Sequence, residues 1–350
     1  MSSTERTAGM ADTAQAVSAA KPAQATPVAQ PTPVDLLFAG DVFCDLIFSN
    51  VAMPEPGAEV FADAFTITPG GTANRAVAAA RLGARTALLS ELGFDPLGSH
   101  LASILAAEAD LDLRWLRRTV GYQTPVSAAL TGEHERSFVT YQEPGLPLVW
   151  TDDAVRVGAT HVNAAAELPS WVPRLRAAGT TVVGGVGWDA TGEWSAATLA
   201  RLDGLDVFIP NDLEAMRYTR TEDAAAAARA LGEHVEQVVV TRGRDGAVAF
   251  NAGTGELVEV PAVIVAAVDP TGAGDVFTAS FMASERFGWD LRTRLQFGCL
   301  CASLSVRRLG GAASAPRAVD VAAYLAEHRP AGDWAAIAAW AASAAAPTSA

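Results

Sequence analysis

The chain has 350 residues, 50% of them hydrophobic and 18% charged, with a formal net charge of -14 at pH 7 and a single lysine, Lys21. Every other basic residue is arginine, so residues 22–350 cannot supply the lysine of a GxxxxGK[ST] phosphate loop, a protein-kinase strand or a Schiff-base enzyme. An acidic surface also repels nucleic acid and anionic membranes, which leaves small molecules as the expected partners.

Residues 1–33 are mostly Ala, Ser, Thr, Gln and Pro and carry no aromatic side chain. Such a segment buries too little surface to offset the entropy of ordering it, and a disordered tail is expected. From residue 34 to 328 strand-like and helix-like runs alternate. Strands are expected at 35–39, 86–90, 161–163, 181–183, 207–209, 237–241 and 247–250, and helices at 73–82, 97–108, 212–218 and 276–287. That order predicts an α/β domain with a mostly parallel sheet. Two stretches, 43–68 and 115–141, instead read as short β pieces with turns that leave the main sheet. In the Ala-rich segment 329–350, the spacing of Trp334, Ile337 and Trp340 puts all three on one side of a terminal helix that docks on the domain.

Cys44, Cys299 and Cys301 are odd in number and form no CxxC pair, which argues against a disulfide framework or structural zinc. The five histidines are dispersed and are expected at the surface. There is neither a long uninterrupted apolar run nor a basic-then-apolar leader, so a reduced, cytoplasmic protein without membrane contact is expected.

Three glycine loops compete as ligand sites. Asp269-Pro270-Thr271-Gly272-Ala273-Gly274-Asp275 follows an apolar run and opens a helix. Small residues there leave backbone N–H groups uncovered, and the helix N-terminus adds partial positive charge, a setting for a phosphoryl group. Asp275 at its end is either a helix cap or a functional carboxylate. Gly70-Gly71-Thr72-Ala73-Asn74 permits close approach of a ligand, and Asn74 offers both a donor and an acceptor to hydroxyl groups; a plain turn is the alternative. Gly185-Val186-Gly187-Trp188-Asp189-Ala190 fits GxGxxA, but Asp189 would face the pyrophosphate and Trp188 would crowd the turn, so it reads as an ordinary loop.

Together the segments resemble the ribokinase-like (PfkB) family of carbohydrate and nucleoside kinases. DPTGAGDVFTASF at 269–281 is similar to the family's C-terminal signature, and GGTANRAVAAARLG at 70–83 to its N-terminal one. Shorter matches follow the family's order: Gly40 to Asp45 after the first strand, Asn211-Asp212-Leu213-Glu214 as NxxE, and Thr241-Arg242-Gly243-Arg244-Asp245-Gly246 as TRGxxG. The resemblance implies a three-layer α/β/α fold over 34–328 with a mostly parallel central sheet and a small β lid, made by 43–68 and 115–141. The lid covers the sugar and in some members pairs with a second subunit, so a homodimer is one expectation.

Carried over, the resemblance implies an ATP- and Mg²⁺-dependent sugar kinase, with a nucleoside kinase as the nearest alternative and a catalytically silent ligand-binding relative as a third. Asp275 would be the general base, and the backbone of Gly272, Ala273 and Gly274 the anion hole. Asp45, Gly70, Gly71 and Asn74 would hold the sugar. Asn211 and Glu214 would hold Mg²⁺ through water, and Thr241, Arg242 and Gly243 would border the nucleotide phosphates. Asp269, Thr271 and Ser314 match positions that frame a monovalent cation such as K⁺ in some members. Departures from the family pattern are Thr72, where ribokinases usually carry lysine, and Cys299, where some relatives place an asparagine against the base. Arg75 and Arg136 are either structural arginines or partners of a charged substrate group.

Overall fold

A computed structural model describes residues 32–132, 136–328 and 330–346, with Arg136 described by its backbone alone. The expected tail up to residue 31, His134 and the Arg136 side chain therefore lie outside the described residues.

The central sheet grows outward from β1 (Val34–Ala39), which pairs in parallel with β4 (Thr86–Gly93) on one side and β9 (Val157–Asn163) on the other. Beyond β9 it continues in parallel through β10 (Thr181–Gly185), β11 (Val207–Phe208) and β12 (Gln237–Thr241). It ends in an antiparallel pair, β13 (Ala247–Asn251) and β14 (Glu256–Val260). On the other edge β4 pairs with two short strands, β5 (Leu111–Asp112) and β6 (Leu116–Thr119).

Alternation along β12 shows why these runs make a sheet buried on both faces. Val238 and Val240 point into one core and Val239 into the other, as a period of two requires. The first core holds α1 (Thr72–Arg81), α2 (Pro96–Ala106), α7 (Ala273–Ser284), α8 (Leu291–Ser305) and α10 (Ala318–Glu327). The opposite face packs α3 (Val172–Ala177), α5 (Asp212–Thr219) and α6 (Ala224–Leu231). The result is the expected three-layer α/β/α arrangement. Two short turns of helix are α4 (Ala196–Ala200) and α9 (Gly311–Ser314). Finally α11 (Ala335–Ala345) buries Ile337 and Ala341 in the first core and sets Trp340 edge-on to Phe297, with ring centroids 4.9 Å apart.

A separate four-stranded sheet has the order β3 (Ala64–Gly71), β2 (Val42–Ser49), β7 (Val126–Thr131), β8 (Arg136–Tyr141). This is the β excursion, with one correction: residues 116–119, grouped with it in the sequence, pair with β4 in register Ser90 to Leu116 and extend the central sheet. A polar LRRT segment gives no periodic signal of which sheet it joins; Glu91 on β4 captures it by pairing with Arg117 at 2.9 Å and accepting from Thr119. A second correction concerns His161. It lies 8% exposed in β9, not at the surface, and burial, with the Arg75 charge nearby, holds its imidazole neutral by lowering its pKa well below the ordinary value.

Candidate active site

The start of α7 is the centre of the site. Gly272 is its N-cap with φ 76°, a left-handed conformation, and an added Cβ would come 2.9 Å from the Cα of Gly311, so only glycine fits. Capping here uses no side chain. Asp275 therefore stands inside the first turn with its carboxylate committed elsewhere. Ala273 donates its N–H to Pro270 O at 3.3 Å, a long contact, while the first-turn amides of Gly274 and Asp275 have no intrahelical acceptor. Space in front of Gly274 is open.

Helix α1 brings the second motif to the same place. Gly71 is its N-cap with φ 60°, and the turn delivers Asn74 so that its Nδ2 donates to Asp275 Oδ2 at 3.0 Å. Arg75, the next residue, donates to the other oxygen, Oδ1, forming an ion pair. Asn74 is 4% exposed, and its Oδ1 has no hydrogen-bond partner among the described residues. Thr72, in the position where ribokinases carry lysine, is buried against Gly40 beneath the first strand.

Asp45 in β2 faces Gly70 across the register Cys44 to Pro69 and Asp45 to Thr68. Burial pushes its carboxyl up to about 7, and the negative charges of Asp275 and Asp269 add to the shift. β2, the end of β3, α1 and the α7 N-terminus thus converge on one group of polar side chains, Asp45, Asn74, Arg75 and Asp275.

On the far side of the 269–275 loop lies a cavity of about 360 Å³. Thr241, Gly243, Arg244 and Gly246 line one wall, Ala273, Gly274 and Phe277 another, and Cys299 and Ser303 of α8 the floor. Burial drives the Cys299 thiol up to about 12, so it is a small apolar surface in this cavity. Arg242 is turned away from it and pairs with Glu259 at 3.0 Å.

Asn211 and Glu214 form a reciprocal capping box at the start of α5. Glu214 N donates to Asn211 Oδ1 at 2.8 Å, and Asn211 N to Glu214 Oε2 at 2.9 Å. A parallel bridge from Asn211 to Thr241 places the box beside this cavity. Burial raises the Glu214 carboxyl against the opposing bond from the Asn211 amide. The box leaves Oε1 outside it, one carboxylate oxygen for a cation that keeps most of its water.

Asp269 is 3% exposed and accepts from Thr271 N at 2.9 Å and from Gly310 N at 3.0 Å. Ser314 Oγ donates to Gly311 O at 2.9 Å. Thus Asp269, Thr271 and Ser314 meet around a glycine pair, Gly310-Gly311, that sequence reasoning did not single out. A Cβ on Gly311 would stand 2.6 Å from Asn74 Oδ1. The doublet itself was the available signal. The GxGxxA decoy is a loop: Asp189 accepts from Thr191 and Trp194 amides, and no helix begins before Ala196.

A polar side-chain cluster and an apolar-floored cavity thus meet at one helix N-terminus, with the Asp275 carboxylate in the cluster. Comparison with known proteins decides what this arrangement is: the profile of the pfkB family carbohydrate kinases matches residues 35–318. The chain belongs to the pfkB family of carbohydrate kinases. Among relatives of this pfkB protein, a nucleoside kinase of Methanothermobacter thermautotrophicus is 29% identical over 294 residues, covering 81% of this chain and 92% of the relative. Ribokinase of Bacillus subtilis is 26% identical over 309 residues, covering 81% and 96%. The structure of Arabidopsis thaliana ribokinase complexed with ribose and ATP superposes with a TM-score of 0.70 at 25% identity, covering 81% of this chain and 96% of that one.

Proposed function

We propose that this pfkB protein transfers the γ-phosphoryl group of ATP to a hydroxyl of a small sugar. The observation that carries the reading is the position of Asp275: one helix N-terminus presents its carboxylate to the Asp45, Gly70 and Asn74 pocket and its open Gly274 backbone to the donor cavity. Phosphoryl transfer asks a protein mainly to position two substrates and stabilise charge, and both tasks are local here. Asp275 takes the proton of the attacking hydroxyl. The backbone of Gly272, Ala273 and Gly274, with the helix dipole behind it, meets charge on the transferring group. Asp45 and Asn74 orient the sugar. Thr241 and Gly243 border the nucleotide, while Arg242 acts through its bond to Glu259 on the shape of that turn.

Asn211 and Glu214 would hold Mg²⁺, which when bound neutralises phosphate charge. Asp269, Thr271 and Ser314 would make the protein responsive to K⁺ through the Gly310-Gly311 turn. Phe65, Phe138, Val139 and Tyr141 are exposed on the four-stranded sheet and suit pairing with a second copy. The described cysteines are all free thiols, and no described helix is long and apolar enough to cross a membrane, which supports a cytoplasmic place.

A nucleoside acceptor is the second reading, favoured by the Methanothermobacter relative and by Thr72 in place of lysine. ATP consumption measured over a sugar panel and a nucleoside panel decides between them. Turnover with sugars alone supports the first reading, turnover with nucleosides alone the second, and none with either sinks both.

A further inference from the structure

Both oxygens of the proposed base accept a hydrogen bond from α1. Asn74 holds Oδ2 at 3.0 Å and the Arg75 guanidinium holds Oδ1, from consecutive positions on α1. Each oxygen keeps a second lone pair, yet the guanidinium already fills one acceptor position on Oδ1 and competes with any new donor there. We infer that Arg75 latches the Asp275 carboxylate while the acceptor pocket is empty, and so suppresses transfer of the γ-phosphoryl group to water.

The surroundings suit a latch better than a rivet. Arg75 is only 22% exposed at its side chain, which makes the pair stronger than a surface ion pair. Yet Nε is buried without a partner among the described residues, so the fork is held by one arm and leaves a donor unsatisfied. Among the described residues, the charge of Asp275 acts on Asp45 of β2, which Asp269 of the loop also influences, and the charge of Arg75 acts on His161 of β9, which is buried and neutral. The acidic pair favours a cation here, and the neutral imidazole does not compete for Asp275.

A sugar hydroxyl that displaces the guanidinium donates its proton to Oδ1 as its oxygen bonds to the γ-phosphorus and the bond to the β-phosphate oxygen breaks, giving ADP and phosphosugar. Water making the same attack would give ADP and inorganic phosphate, its proton going to the same oxygen. Arginine on Oδ1 competes with water for that acceptor, whereas a sugar also anchored on Asp45 and Asn74 can displace it.

This inference rests on the kinase reading above, and its test has a separate readout. ADP release from MgATP alone, with no acceptor, is compared among wild type, Arg75→Gln and Arg75→Lys; thermal melting checks the fold of each. Arg75→Gln should hydrolyse MgATP at least about tenfold faster, within the scale a freed general base supplies, while Arg75→Lys stays near wild type. With the best acceptor of the panel, Arg75→Gln should keep kcat and show an unchanged or lower KM. A purely structural arginine would lower both kcat and stability without raising hydrolysis. Arg75→Met, with a similar unbranched stem, replaces glutamine if that variant misfolds. Unchanged acceptor-free hydrolysis in a folded variant, or a raised acceptor KM, overturns the latch even if the sugar kinase reading stands. A wild type inactive on every acceptor overturns the kinase reading instead.

Discussion

The Asp45 carboxylate lies against the bare Cα of Gly70, so closely that a Cβ there would stand 1.9 Å from its Oδ2. Since β2 and β3 are paired in register across this point, the backbone cannot move aside without breaking the ladder. Gly70→Ala must therefore displace the carboxylate. Acceptor KM should rise by about tenfold or more, the scale of a lost polar contact to a substrate hydroxyl, with ATP binding unchanged in titrations.

Asp45 also predicts a pH dependence. Its carboxyl titrates at about 7 in the folded protein against 3.8 for an ordinary aspartate. The ionised form accepts hydroxyl protons on both oxygens, so acceptor KM should fall as pH rises through about 7. Stability runs the other way. A raised carboxyl pKa means that Asp45 contributes stability below 3.8 which is lost as pH climbs to about 7. Asp45→Asn should abolish the KM inflection, weaken acceptor binding, and raise Tm more above pH 7 than near pH 4. Equal Tm gains at both values would contradict the assignment.

How much of this was legible in the sequence follows from the chemistry each residue must do. Gly70, Gly272 and Asp275 stood out because close approach and positive φ demand glycine, and a helix N-terminus with a carboxylate is a recognisable arrangement. Arg75 on Asp275 was not legible, since the two are 200 residues apart and an arginine on a helix normally meets solvent. His161 was missed because a single histidine in a strand carries no burial signal. Helix α8 was also missed: Leu295, Phe297, Cys299 and Cys301 are buried around more than one face, so no clean apolar stripe marks it. The capping box shows the converse case, in which one pair, Asn211 and Glu214, serves the helix and stands ready beside the donor cavity.

The donor cavity offers a steric test. Cys299 is small and buried on its floor, with the thiol unionised. Cys299→Phe fills the space, and ATP KM should rise by about tenfold or more while acceptor KM holds steady. Initial rates against each substrate separate the two outcomes.

Stability away from the site depends on Glu108. Its carboxylate accepts from Arg81 at 2.7 Å and from Arg317 at 2.9 Å, joining the ends of α1 and α2 to the start of α10. Burial alone would raise its pKa, but the Arg81 and Arg317 bonds and charges hold it below the usual value. Glu108→Ala leaves the half-buried Arg81 guanidinium with only the Ala313 and Ala315 carbonyls as partners, and should cost about 1–3 kcal/mol in denaturant unfolding. In wild type this contribution is present at neutral pH and lost as pH falls through the carboxylate range.

The central claim is that Asp275 accepts the proton in phosphoryl transfer. Rapid-quench measurement of a single turnover, with saturating MgATP and the best acceptor of the panel, tests it in Asp275→Asn. Transfer should slow by about 10²–10⁴ while ATP affinity is retained, the scale of a lost general base. A single-turnover rate equal to wild type would contradict the account.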